Sequence, residues 1–191
     1  MKLGGQMINL NATLKGKIKT LKFISKDTSG NDFLTDSRVF AIWYDKVKDN
    51  FVREKHLPQK QKSIDGLLFF NDIYYFIEFK NQREKSLGRA EIIQKMYDSL
   101  IIFWSRTGFD MNKLYNDGEF VLVYNEDKLD GGVKLSNSFD KIVSSVNQYR
   151  TNPPSSCKGM KTLPKAVKLY FSKFHLVRKK DFPAFLTRIG C

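Results

Sequence analysis

The chain has 191 residues, 41% hydrophobic and 14% aromatic, which suits one domain with a sizeable core and excludes a disordered chain. No run approaches the roughly 20 apolar residues that span a bilayer, and residues 1 to 17 lack the apolar core of a secretory signal. Two cysteines, Cys157 and Cys191, make neither a disulfide framework nor a zinc site, so a reducing cytoplasm is the expected compartment. The formal charge of +13, from 33 Lys and Arg against 20 Asp and Glu, favours a polyanionic partner through counterion release at phosphates, although lysine-rich surfaces also arise without one.

In chain order, Leu14, Ile18 and Leu21 are spaced as a helix stripe within residues 8 to 24, with Lys15, Lys17, Lys19 and Lys22 outside it. A loop over residues 26 to 31 follows. Asp36 and Ser37 look like a helix cap before an apolar-periodic run from Arg38 to Phe51, in which Val39, Trp43 and Val47 lie four residues apart. Residues 53 to 62 form a basic connector broken by Pro58, and His56 within it reads as a solvated side chain.

Ser63 to Asn81, SIDGLLFFNDIYYFIEFKN, breaks this pattern. Two apolar runs flank Asn71-Asp72, a turn-prone dipeptide, so the stretch reads as a β-hairpin. Alternation along its second arm puts Tyr74, Phe76, Glu78 and Lys80 on one face and Tyr75, Ile77 and Phe79 on the other. Folding the hairpin could bring Asp65 near Glu78. Charges in so apolar a setting are expensive unless paired or bound to a metal. An exposed hairpin with cross-strand ion pairs would also account for them, but two hydrophobic arms argue for a covered sheet.

After a polar loop over 82 to 88, residues 89 to 106 read as a helix whose broad apolar face is Ala90, Ile93, Tyr97, Leu100, Ile101 and Trp104. Gln94 stands beside that face, with Glu91, Lys95 and Asp98 opposite. Residues 107 to 118 read as a loop or short turn, and Glu119 to Asn125 as a strand buried on both faces. Beyond it come a turn at Gly131-Gly132, an amphipathic helix over 138 to 149, and a loop over 151 to 164 rich in Pro, Ser and Gly. A terminal helix is expected after Asp181, with Pro183 in its first turn.

The spacing Asp65-x12-Glu78-Phe79-Lys80 resembles the active-site signature of the PD-(D/E)xK nuclease superfamily, with Ile64 where the name-giving proline would stand. The resemblance implies an α/β fold with a restriction-endonuclease-like core, a central mixed β-sheet flanked by helices in the order αβββαβ. It implies a single nuclease-like domain over residues 1–191, elaborated by helices at both ends. The first strand of that core is not placed; it is either a short strand before Ser63 or a second use of the Leu67-to-Phe70 arm.

In chemistry, the resemblance implies a nuclease whose Mg2+ or Mn2+ is held by Asp65, Glu78 and the backbone carbonyl of Phe79. Lys80 would assist the attacking water, and Gln94 would reach the cleft from the following helix. A further acidic ligand from the preceding helix would have to be Asp36 or Asp45, because no Glu occurs between Asp32 and Arg53. The expected partner is nucleic acid, DNA ahead of RNA, with no membrane, and a homodimer suits cutting both strands of a duplex. The alternative is a nucleic-acid-binding or regulatory protein that keeps the nuclease fold without cutting.

Overall fold

A computed structural model describes residues 5–27, 32–58, 61–81, 89–109, 111–128 and 171–191. The turn, helix and loops expected over residues 82–88 and 131–164 lie outside them. The described chain is α/β, built on six strands whose order in the sheet is their order in the sequence. These are β1 (Lys17–Thr20), β2 (Phe40–Trp43), β3 (Gly66–Phe70), β4 (Ile73–Lys80), β5 (Gly118–Tyr124) and β6 (Lys173–Arg178). The first three pairings are antiparallel, and β4–β5 and β5–β6 are parallel.

The hairpin follows its sequence. Gly66 pairs with Ile77 and Phe70 with Ile73, closing on Asn71 and Asp72, whose φ angles are 49° and 60°. Two successive left-handed residues give the turn whose twist matches that of the strands. The parallel β4–β5 step is bridged by α4 (Arg89–Thr107), a helical crossover as such a pairing requires.

The helices cover both faces of the sheet. On the face of Phe76, α3 (Tyr44–Glu54) and α4 close the core, with the Phe76 ring 6.3 Å from Tyr44 and 5.5 Å from Phe103. Helix α1 (Gly5–Leu14) packs against α4 and β3. On the face of Phe79, α6 (Phe182–Ile189) brings Phe182 to 5.6 Å from Phe79 and Phe185 to 6.2 Å from Tyr75. The short α2 (Leu21–Ile24) sets Ile24 over Gly66. Among the described residues no helix is long and apolar enough to cross a membrane.

Several expectations are corrected. Residues 8 to 24 are not one helix: α1 stops at Leu14, Lys15 turns with φ 54°, and Ile18 enters β1 opposite Ile42. The run from Arg38 to Phe51 starts as strand β2, because Phe-Ala-Ile-Trp fits a pleated, half-buried surface and finds partners on both sides. Asp36 therefore caps no helix, and its carboxylate pairs with Lys22 at 2.8 Å. Two strands, β1 and β2, therefore precede the hairpin in the sheet. The segment after α4 contains α5 (Met111–Asp117), which was expected as loop. Asp181 does precede α6, with Pro183 in its first turn, yet its carboxylate binds Arg178 instead of the helix N-terminus.

A candidate active site at the end of the hairpin

The hairpin register, continued one step past Gly66 and Ile77, sets Asp65 across from Glu78. Backbone bonds hold Asp65 there, since its N–H donates to the Ile77 carbonyl at 3.1 Å and its own carbonyl accepts from the Tyr44 N–H at 3.0 Å. Its side chain is equally constrained: Oδ2 accepts from the Phe79 N–H at 2.6 Å, leaving Oδ1 turned to the cluster. Glu78 and Lys80 share the Phe76 face, as alternation requires, and both are buried beneath α4.

Five charged side chains meet here: Asp65, Glu78, Lys80, Glu91 and Lys95. The Lys95 ammonium lies 2.7 Å from Glu78 Oε1 and 3.7 Å from Asp65 Oδ1. Lys80 Nζ lies 3.2 Å from the same Glu78 Oε1 and 3.6 Å from Glu91 Oε1. Glu78 is 0% exposed, and its second oxygen, Oε2, has no hydrogen-bond partner among the described residues. Burial, reinforced by the negative charge of Asp65 and only partly offset by the two lysines, pushes the Glu78 carboxyl up to about 8. Burial also raises Asp65, against the pull of Lys95. Burial alone would lower the Lys95 ammonium, but Asp65 and Glu78 outweigh it and hold Lys95 above the ordinary lysine value.

Neighbouring elements fix this geometry. Ser99 on α4 accepts the Ile64 N–H at 2.9 Å, and the Tyr44 hydroxyl donates to the Ser99 carbonyl at 2.8 Å, tying α3 and α4 to the strand start. Asp45, in the first turn of α3, accepts from Ser63 at 2.6 Å and pairs with Lys48 at 3.5 Å. Its charge reaches both Asp65 and Lys95. Of the two further acids considered, Asp45 therefore borders the cluster, while Asp36 is engaged by Lys22.

Gln94 is exposed and donates to Asp98 at 3.4 Å, a carboxylate that also accepts the Lys62 N–H at 2.8 Å. Helix α4 instead brings Lys95 to the two carboxylates and Glu91 to Lys80. Its buried residues are Ile92, Met96, Ser99, Leu100, Ile102 and Phe103; of the face expected, Leu100 is buried and Ile93 and Tyr97 partly so, while Ala90, Ile101 and Trp104 are exposed. The usable signal was the Glu91–Lys95 spacing beside Ile92 and Met96, polar residues bordering an apolar stripe.

Do these residues suit a divalent ion? Among the described residues no three His, Cys, Asp or Glu side chains form a metal-holding group. Two carboxylates with a buried, unpartnered oxygen between strand and helix nevertheless match the one or two acids by which Mg2+ is usually held, its other positions going to water and substrate. The fit is chemical, and it involves Asp65, Glu78 and the Phe79 backbone.

No protein-family model, no curated protein and no solved structure matches the chain. The site must speak for itself.

Proposed function

We propose that this protein is a metal-dependent phosphodiesterase that hydrolyses nucleic acid, DNA ahead of RNA, with a restriction-endonuclease-like core. The observation that carries this reading is the buried Glu78, whose Oε2 has no partner among the described residues, opposite Asp65 and beside Lys80. A purely structural carboxylate would be costly in that state. The position also suits a substrate, because in open α/β sheets ligands gather beyond the carboxyl ends of the strands, and Glu78 and Lys80 end β4.

Asp65 and Glu78 would hold a divalent ion together with the Phe79 carbonyl. Such an ion, when bound, lowers the pKa of a water and offsets charge on the phosphate. Lys80 keeps its ammonium within 3.2 Å of Glu78 and 3.6 Å of Glu91, which leaves it poised to orient that water and to balance developing negative charge. Asp45 and Ser63 keep the strand start in place. Lys48, paired with Asp45, also lines a cavity of about 850 Å³ with Asp49, Arg53 and His56. The net charge of +13 suits a phosphate backbone.

The test is a cleavage assay on DNA and RNA with Mg2+ or Mn2+, comparing the wild type with Glu78→Gln. Metal-dependent cleavage that the variant loses is the expected result. Salt-sensitive binding without cleavage, unchanged by Glu78→Gln, would replace the enzyme with a nucleic-acid-binding protein of the same fold.

A further inference from the structure

We propose, on the strength of the metal-binding reading above, that Lys95 is a built-in counter-cation closing the Asp65–Glu78 pair to divalent ions. Opening it requires the Lys95 ammonium to move onto Glu91, one turn back along α4. The lysine is both the occupant and the gate.

Three observations lead there. Lys95 bridges the two carboxylates, at 2.7 Å from Glu78 and 3.7 Å from Asp65, in the space where a shared cation would sit. A divalent ion bound by the same pair would stand within a few ångströms of that ammonium. In a poorly solvated setting like charges so close repel strongly. Charge balance points the same way. With Glu78 ionised, as a metal ligand must be, Asp65, Glu78 and Glu91 against Lys80 and Lys95 leave one negative charge, and a divalent ion added with both lysines in place would reverse the sign of the cluster.

Glu91 supplies the landing place. It precedes Lys95 by four residues on one helix, the order and spacing in which a Glu–Lys pair forms best. Its side chain is 39% exposed against 16% for Lys95, so the move carries the ammonium outward toward water. A lysine has the flexible stem for it, needing rotamer changes only and no shift of the helix. Lys80, already within 3.6 Å of Glu91, would remain beside Glu78.

The experiment is Mn2+ binding without nucleic acid, followed by the electron paramagnetic resonance of free Mn2+. It compares the wild type, Lys95→Gln, Lys95→Arg, Glu91→Gln, the Lys95→Gln/Glu91→Gln double variant and Glu78→Gln. We expect Lys95→Gln to bind Mn2+ about tenfold more tightly than the wild type, and Lys95→Arg to bind no better than the wild type. Glu91→Gln should weaken binding several-fold in the wild-type background and leave the Lys95→Gln background unchanged, the signature of coupled residues. Binding that Glu78→Gln abolishes but Lys95→Gln leaves unimproved would overturn the gate while the metal site stands. Mn2+ binding by neither the wild type nor Lys95→Gln would remove the metal site itself, and the gate with it. If Lys95→Gln fails to fold, Glu91→Gln decides alone: unchanged affinity in that half-exposed variant overturns the proposal.

Discussion

The sheet buries one carboxylate on each face of its parallel half, and the two are treated in opposite ways. Glu119, 4% exposed on the α6 face, has both oxygens engaged: Oε2 meets His175 Nε2 at 2.7 Å and Oε1 meets Lys173 at 3.0 Å. Burial acts to raise its pKa, yet the bonds from His175 and Lys173 prevail and hold it below the usual carboxylate value. Glu78, on the α4 face, has two ammoniums crowded on one oxygen and, among the described residues, no partner on the other, and its pKa rises to about 8. Both residues sit on β-strands among aromatic rings. The difference lies in the completeness of the hydrogen bonding, and on the function proposed above it separates a carboxylate that finishes the fold from one that would take a ligand.

The sharpest way to break this comparison is to neutralise each acid in turn. Glu78→Gln should lower metal-dependent cleavage by about a hundredfold or more, while Glu119→Gln should leave the rate per folded molecule near that of the wild type. Equal losses in the two variants would erase the distinction. Stability should invert the order. Glu119→Gln removes a satisfied buried ion pair and should destabilise the protein by about 2 kcal/mol. Glu78→Gln removes an under-satisfied buried charge and should be neutral or stabilising in metal-free urea titrations.

The pH dependence sharpens the same contrast. Glu78 is raised in the folded state, so its contribution is fully present below the ordinary carboxylate range and fades as pH rises toward about 8. Glu119 is lowered, so its contribution is present above its ordinary pKa of 4.5 and fades as acid protonates the folded protein. Metal-free unfolding from pH 4 to 8.5 should therefore show the wild type losing ground to Glu78→Gln as pH rises, and to Glu119→Gln as pH falls. A difference of the same sign for both would contradict the assignment. The smallest expected effect is that of Ser99→Ala, which orphans the Ile64 N–H and should cost about 1 kcal/mol in the same titration, with cleavage falling only modestly.

Much of this site was legible before folding. The period of two along Tyr74 to Lys80 decided which side Glu78 and Lys80 take, and Asn71-Asp72 decided that Asp65 would come back toward them. Helix α4 was legible as a helix but not in its orientation. Apolar residues surround it, and only the packing of Ile92, Met96 and Phe103 against the sheet shows that Lys95, and not Gln94, meets the acids. Strands β1 and β2 escaped because each is four residues long with apolar spacing that also fits a helix; their strand character comes from pairing with each other and with β3. Glu119 was readable as part of a buried strand, but its partners His175 and Lys173 lie more than fifty residues away, beyond any local pattern.

Strand order that repeats chain order carries a consequence for how the protein is made. Every strand pairs only with its sequence neighbours, but the β3–β4 contacts close over the tight Asn71-Asp72 turn and form early, whereas the β4–β5 and β5–β6 pairings must wait for much longer connections. During synthesis Asp65, Glu78 and Lys80 emerge and can be set by the hairpin before α4 has left the ribosome. Pulse-labelling hydrogen exchange during refolding should find β3 and β4 amides protected ahead of those of α4. The newborn hairpin thus exposes Asp65 and Glu78 to the ions of its surroundings with Lys80 beside them and before Lys95 arrives.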